Sequence, residues 1–76
     1  MVMSLAEYEM QAKIVKETIT ILESKMSNVH RELRFNPDST ILKRELRELT
    51  LDMTITINEL EQTENALERF YSSNVL

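Results

Sequence analysis

The chain has 76 residues, of which 42% are hydrophobic, and its formal net charge is −4. It contains no cysteine and no glycine, which excludes disulfides, thiolate metal sites and glycine-rich phosphate-binding loops. Its apolar runs are far shorter than the ~20 residues of a membrane-spanning helix, and its first residues lack the pattern of a signal peptide. The composition therefore predicts one small cytoplasmic domain over residues 1–76, without membrane insertion.

The first helix is predicted over residues 4–34. Ser4 and Glu7 have the spacing of a capping box, in which each side chain bonds the backbone N–H of the other residue. Apolar or small residues then recur at alternating steps of three and four, as at the a and d positions of a coiled-coil heptad. These seam residues are Leu5, Tyr8, Ala12, Val15, Ile19, Leu22, Met26, Val29 and Leu33.

The only proline of the chain predicts a bend at residues 35–39. Pro37 disfavours helical geometry at Asn36, so a helix that arrives from the N-terminal side must stop there. Asn36 is a good N-cap, Pro37 suits a first helical position, and Asp38 favours the positive end of a helix. The second helix is therefore predicted over residues 37–72.

The second helix repeats the heptad pattern of the first. Its seam residues are Leu42, Leu46, Leu49, Met53, Thr56, Leu60, Thr63, Leu67 and Phe70. Folding the chain at the bend pairs the two seams in nine layers, from Leu33 opposite Leu42 to Leu5 opposite Phe70. All seam residues except Ala12, Thr56 and Thr63 form the predicted core between the helices.

Two segments favour a different secondary structure. Residues 18–21 and 51–57 alternate as β-strands do and are rich in β-branched side chains. The heptad pattern continues through both segments. Because it is the longer pattern, we assign both segments to helices. The sequence predicts an all-α fold, an antiparallel two-helix hairpin that resembles a coiled coil.

Apolar residues outside the seam are the candidates for binding a partner. Ile14, Ile21, Ile41 and Ile55 take the c position of their heptads, whereas Met10 and Leu51 take the f position. In an antiparallel pair the c and g positions of both helices lie on one broad side, while the other side is mostly charged, apart from Ile57 and Tyr71. Because contiguous apolar surface usually marks a binding face, the predicted partner-binding residues are Met10, Ile14, Ile21, Leu51 and Ile55.

Candidates for chemistry are few. His30 is the only histidine and has no carboxylate at the spacing of a zinc site. Four clustered acids, Glu59, Glu61, Glu64 and Glu68, lie on a hairpin that offers no cleft to raise their pKa for acid–base catalysis. We therefore predict no catalytic, metal-binding or cofactor-binding residue.

Basic residues gather around the bend and raise the alternative of RNA binding. Residues 25–47 carry a net charge of +3, and small helical-hairpin dimers can bind RNA through such a surface. The whole chain is acidic, however, and only Phe35 could stack on a base near this cluster. Binding of nucleic acid is not expected. The basic residues are Lys25, Arg31, Arg34, Lys43, Arg44 and Arg47.

A hairpin of this size with a bend at residues 36–38 resembles a known protein family. The segment Leu60-Glu61-Gln62-Thr63-Glu64-Asn65, followed by Phe70-Tyr71 and a polar tail, is similar to the end of the second helix in that family. Its members are the small cytoplasmic co-chaperones of needle subunits in bacterial type III secretion, a virulence system. The resemblance covers about a dozen residues, with looser similarity over the second helix.

The resemblance implies a non-catalytic function and two protein partners. Such a co-chaperone pairs with a larger helical-repeat chaperone, and together they hold the needle subunit soluble and unpolymerised before export. The alternative from the residues alone is a homodimeric coiled-coil adaptor or regulator, in which two hairpins form a four-helix bundle.

Overall fold

The computed structural model describes residues 3–73 and contains two α-helices, α1 (Leu5–Phe35) and α2 (Thr40–Ser73). The helices pack side by side in a hairpin that measures 58 × 19 × 16 Å. The predicted all-α, two-helix fold is confirmed, and both segments with strand-like alternation lie inside helices. Residues 1–2 and 74–76 of the predicted domain lie outside the described residues.

The N-terminus of α1 has the predicted capping box. The Ser4 hydroxyl oxygen accepts a hydrogen bond from the Glu7 backbone N–H at 3.2 Å, and the Glu7 carboxylate accepts one from the Ser4 N–H at 3.4 Å. Ser4 has extended backbone geometry and is therefore the cap, while the helix itself begins at Leu5. Two of the N–H groups that a helix start leaves without intrahelical partners are satisfied in this way.

The bend differs from the sequence prediction. α1 continues to Phe35 and is closed by Asn36, whose backbone N–H donates to the Glu32 carbonyl at 3.0 Å. Residues 37–38 form a turn, and α2 begins at Thr40 rather than at residue 37. The side chain of Ser39 caps α2 by accepting a hydrogen bond from the Leu42 N–H at 3.2 Å. The prediction of Asn36 as N-cap and of Pro37 as the first helical residue is wrong, because Asn36 terminates α1 and a turn must follow before the chain reverses.

The interface between the helices follows the heptad seam. All eighteen seam positions are buried or half-buried. Near the bend, Leu22, Val29 and Leu49 are buried at the centre of one apolar cluster. The residues packed around them belong to the same four predicted layers: Met26, Leu33, Leu42, Leu46 and Met53.

The open end of the hairpin is closed by an aromatic pair. The rings of Tyr8 and Phe70 lie 5.6 Å apart between centroids at an interplanar angle of 53°, a tilted arrangement that is favourable for aromatic side chains. The predicted layers place Tyr8 opposite Leu67 and Phe70 opposite Leu5. The ring contact therefore joins two adjacent layers at the open end of the hairpin.

Two threonines are buried in the seam of α2 without a polar partner on α1. The Thr56 hydroxyl donates to the Asp52 carbonyl at 2.7 Å, and the Thr63 hydroxyl donates to the Glu59 carbonyl at 2.8 Å. Bonding the carbonyl four residues earlier satisfies the hydroxyl inside its own helix. Within residues 3–73, every buried side-chain nitrogen or oxygen has a hydrogen-bond partner. The β-branched segments therefore adopt helical geometry without leaving a buried polar group unpaired.

Candidate partner-binding face

The five predicted partner-binding residues are exposed. Met10, Ile14, Ile21, Leu51 and Ile55 each retain between 50% and 61% of their accessible surface. Their seam neighbours differ sharply, since Leu22 is 8% exposed while the adjacent Ile21 is 55% exposed. The hairpin thus packs its seam and leaves these five side chains in contact with solvent.

The c and g positions of both helices lie on the same side of the hairpin. A groove of about 240 Å³ near the open end is lined by Gln11 of α1 together with Glu59, Gln62 and Ala66 of α2. All four residues hold g or c positions of their heptads. We refer to this side, made of the c and g positions of both helices, as the isoleucine flank.

The e positions of the two helices meet on the other side. The Tyr71 hydroxyl donates to the Glu9 carboxylate at 3.2 Å across the hairpin. A second groove, of about 540 Å³, lies beside this contact and is lined by Lys13 and Lys16 among others. This side, made of the e and b positions, is the opposite flank.

The isoleucine flank carries exposed apolar side chains in the c-position rows of both helices, which also contain polar residues, with a groove between the two rows. In each helix the c positions lie on the outer shoulder of the flank, and the g positions line the groove between α1 and α2. Ile14 and Ile21 form the row on α1, with Met10 at its edge. Ile55 stands at nearly the same height on α2, with Leu51 at its edge. The three isoleucines thus hold c positions of this side in two rows, and Met10 and Leu51 hold the adjacent f positions.

Sequence reasoning missed the contribution of Phe35 to this surface. Phe35 is 80% exposed, and it continues the c-position row of α1 seven residues beyond Asn28 and fourteen beyond Ile21. Ile41, at 74% exposure, holds the matching c position of α2. The heptad pattern could have identified Phe35. The first helix was predicted to end at residue 34, however, so that Phe35 was assigned to the bend.

The Tyr71–Glu9 contact changes the acidity of the tyrosine. Desolvation, the hydrogen bond to Glu9 and the negative charge of Glu9 together raise the pKa of the Tyr71 phenol above its ordinary value of 10.0. The phenol is therefore neutral at physiological pH and acts as a hydrogen-bond donor. It links the start of α1 to the end of α2.

The titratable side chains considered in the sequence analysis lie at the surface of the hairpin. Residues 3–73 contain no group of three or more histidine, cysteine or acidic side chains that could hold a metal ion. His30 is exposed on α1, and the four clustered acids of α2 are exposed as well. The six basic residues near the bend are likewise all exposed.

Neither α1 nor α2, the two helices of the described residues, has an apolar stretch long enough to span a bilayer. Comparisons of the chain with protein-family models, with curated proteins and with solved structures find no match.

Proposed function

We propose that this chain is a non-catalytic binding protein, and specifically a co-chaperone of type III secretion. In this role it pairs with a larger helical-repeat chaperone in the cytoplasm. The two proteins together keep the needle subunit soluble and unpolymerised until export. Binding is stoichiometric, and the isoleucine flank is the surface that contacts the larger chaperone.

The observation that carries this proposal is the exposure of the isoleucines beside a complete seam. The a and d positions already hold α1 against α2, so Ile14, Ile21 and Ile55 are not needed for the contact between the helices. Burying one such side chain stabilises a complex by about 1.5–3 kcal/mol if it was fully exposed before, and by roughly half of that here. A protein partner that covers both rows is the simplest explanation of their position.

The shape of the hairpin leaves its flanks accessible. The hairpin exposes 6086 Å², whereas a compact monomer of 9.0 kDa is expected to expose about 4,900 Å². The excess follows from the elongated shape, 58 × 19 × 16 Å. Standard protein interfaces bury about 800 Å² on each partner, an area that one long side of such a hairpin can supply.

The specific role comes from the resemblance of the second helix to the needle-subunit co-chaperones. The segment from Leu60 to Asn65 and the pair Phe70-Tyr71 carry that resemblance. In the structure Leu60 and Phe70 are half-buried in the seam, whereas Tyr71 is exposed on the opposite flank. The geometry supports partner binding in general, and the resemblance supplies the identity of the partners.

The proposal is tested with the double variant Ile21→Asp/Ile55→Asp. Two carboxylates at the centre of the isoleucine flank should abolish co-purification with a co-expressed helical-repeat chaperone and needle subunit, since an unpaired charge in an interface is strongly unfavourable. The hairpin itself should remain helical by circular dichroism, because both side chains are half-exposed.

The matched control is Thr20→Asp/Thr54→Asp. These two residues directly precede Ile21 and Ile55, are exposed, and hold b positions on the opposite flank. The control adds the same charge to the same turns and should leave co-purification unchanged. Equal capture by both double variants would show that the isoleucine flank is not the binding surface.

A further inference from the structure

The two flanks of the hairpin differ in charge. The opposite flank holds five basic and five acidic residues and is neutral overall. The isoleucine flank has a net charge of −4, since only two of its eight charged residues are basic. The charged residues of the isoleucine flank are Glu7, Lys25, Glu32, Glu45, Glu48, Asp52, Glu59 and Arg69.

The acids concentrate in the groove between the apolar rows. Glu45, Asp52 and Glu59 occupy three successive g positions of α2, and all three are exposed. Glu59 also lines the 240 Å³ groove, together with the uncharged side chains of Gln11 and Gln62. A partner that contacts both isoleucine rows must therefore lie across the carboxylates of α2, spaced by about 10 Å, seven residues of helix, with Lys25 of α1 as the one cation among the g positions.

We propose that the isoleucine flank receives an amphipathic α-helix of a different protein, with apolar residues for the isoleucine rows and lysine or arginine over the groove. This inference rests on the proposed function and names the chemistry of the partner segment. A helix fits because helices pack with their axes 8–10 Å apart and can lie along the groove between two others. Lysine and arginine fit because long cationic side chains reach carboxylates while their stems cover apolar surface.

The same charges oppose a second copy as the occupant. A two-fold symmetric dimer presents the same patch on both subunits, so it would bring two surfaces of net charge −4 together. Like charges in an interface are unfavourable and suppress the wrong partner. Lys25 and Arg69 are the only cations that each copy could supply from this flank, against six carboxylates.

The test uses a displayed library of 21-residue helices. An apolar leucine and isoleucine stripe is fixed, and four positions beside the stripe carry lysine or glutamate at random. Clones are selected on the full chain, and those that still bind the Ile21→Asp/Ile55→Asp variant are discarded. We expect lysine to predominate at the four positions. A lysine-flanked peptide should bind about tenfold more tightly than its glutamate twin, and added salt should reduce the difference.

Two triple variants separate the effect of the groove carboxylates from the effect of net charge on the peptide preference. Glu45→Lys/Asp52→Lys/Glu59→Lys should reverse the preference, so that the glutamate-flanked peptide binds better. Glu61→Lys/Glu64→Lys/Glu68→Lys makes the same change in net charge on α2, but on the opposite flank. This variant should keep the preference for lysine. Circular dichroism checks that both variants remain helical.

The outcomes distinguish this inference from the proposed function. Clones that depend on Ile21 and Ile55 but show no preference for lysine would overturn the inference and leave the binding face in place. An equal response of the two triple variants would also overturn it, since net charge alone would then account for the preference. If no selected clone depends on the isoleucines, or if the chain forms a dimer through this flank, both proposals fail.

Discussion

Ile21 and Leu22 are adjacent on α1 and have opposite environments. Leu22 is at the centre of the apolar cluster near the bend, whereas Ile21 lies on the isoleucine flank. We expect Leu22→Ala to lower the free energy of unfolding by about 2–3 kcal/mol, because it removes buried methyl groups and leaves a cavity. Urea denaturation followed by circular dichroism measures this change.

The control for that prediction is Ile21→Ala. It removes a similar number of carbon atoms from an exposed position, where substitutions usually change stability by less than about 0.5 kcal/mol. A loss of stability as large as that of Leu22→Ala would place Ile21 in the core of the free hairpin. The isoleucine flank would then be covered in the free protein.

Tyr71 and Glu9 provide a second prediction at the level of single residues. The Glu9→Gln variant keeps an acceptor for the phenol but removes the negative charge that opposes its ionisation. We expect the pKa of Tyr71 to fall toward 10.0 without reaching it, because desolvation and the hydrogen bond to residue 9 also raise it. Absorbance titration at alkaline pH in a Tyr8→Phe background observes Tyr71 alone.

The sign of the linked effect on stability follows from the raised pKa. The contact of Tyr71 with Glu9 contributes fully below about pH 10, the titration range of an unperturbed tyrosine, and is lost as pH rises through the higher pKa of the folded state. The Glu9→Gln variant should therefore lose less stability above pH 10 than the unchanged chain. Identical titration midpoints for the two proteins would contradict the assigned contact.

At the level of the helices, the start of α2 provides the most specific prediction. Ser39→Ala removes the oxygen that caps the Leu42 N–H and should cost about 1 kcal/mol. Asn36→Ala should cost less, because Asn36 closes α1 with its backbone N–H, which alanine retains. Thermal denaturation of the two variants shows which residue caps α2. A larger loss of thermal stability for Asn36→Ala would support the sequence prediction that α2 starts at residue 37.

This bend marks the limit of what the sequence could predict. The seam was predictable because a strict heptad over nine layers places the seam residues on one stripe of each helix, and all eighteen positions are indeed buried or half-buried. Which of Asn36 and Ser39 caps α2 was not predictable, because both residues are good N-caps. The residue at which α1 ends decides between them. Extending α1 to Phe35 also moves this side chain from the bend into the row of Ile14 and Ile21.

The division of the isoleucine flank into two rows was also missed, although the heptad positions c and g imply it. The heptad assigned Ile21 and Ile55 to the same broad side at nearly the same height, which suggested one face. The groove lined by Gln11 and Glu59 shows that g positions lie between the rows. The groove residues, and not only the isoleucines, therefore determine which partner fits.

For the whole molecule, the main feature is the small amount of core in a long hairpin. Within residues 3–73, none of the side chains is fully buried, and the cluster around Leu22, Val29 and Leu49 is confined to the half nearest the bend. Chains of this size rarely reach more than about 3–5 kcal/mol of stability from one core. A partner that binds only the folded hairpin would add stability that rises with the logarithm of its concentration.

The most direct test of this account is the mass of the free chain by light scattering over a wide range of concentrations. We predict a mass near 9.0 kDa, a monomer whose isoleucine flank is open to a different protein. A dimer that persists on dilution would contradict the account. A second copy would then satisfy the flank, as in the homodimeric four-helix bundle, or the seam.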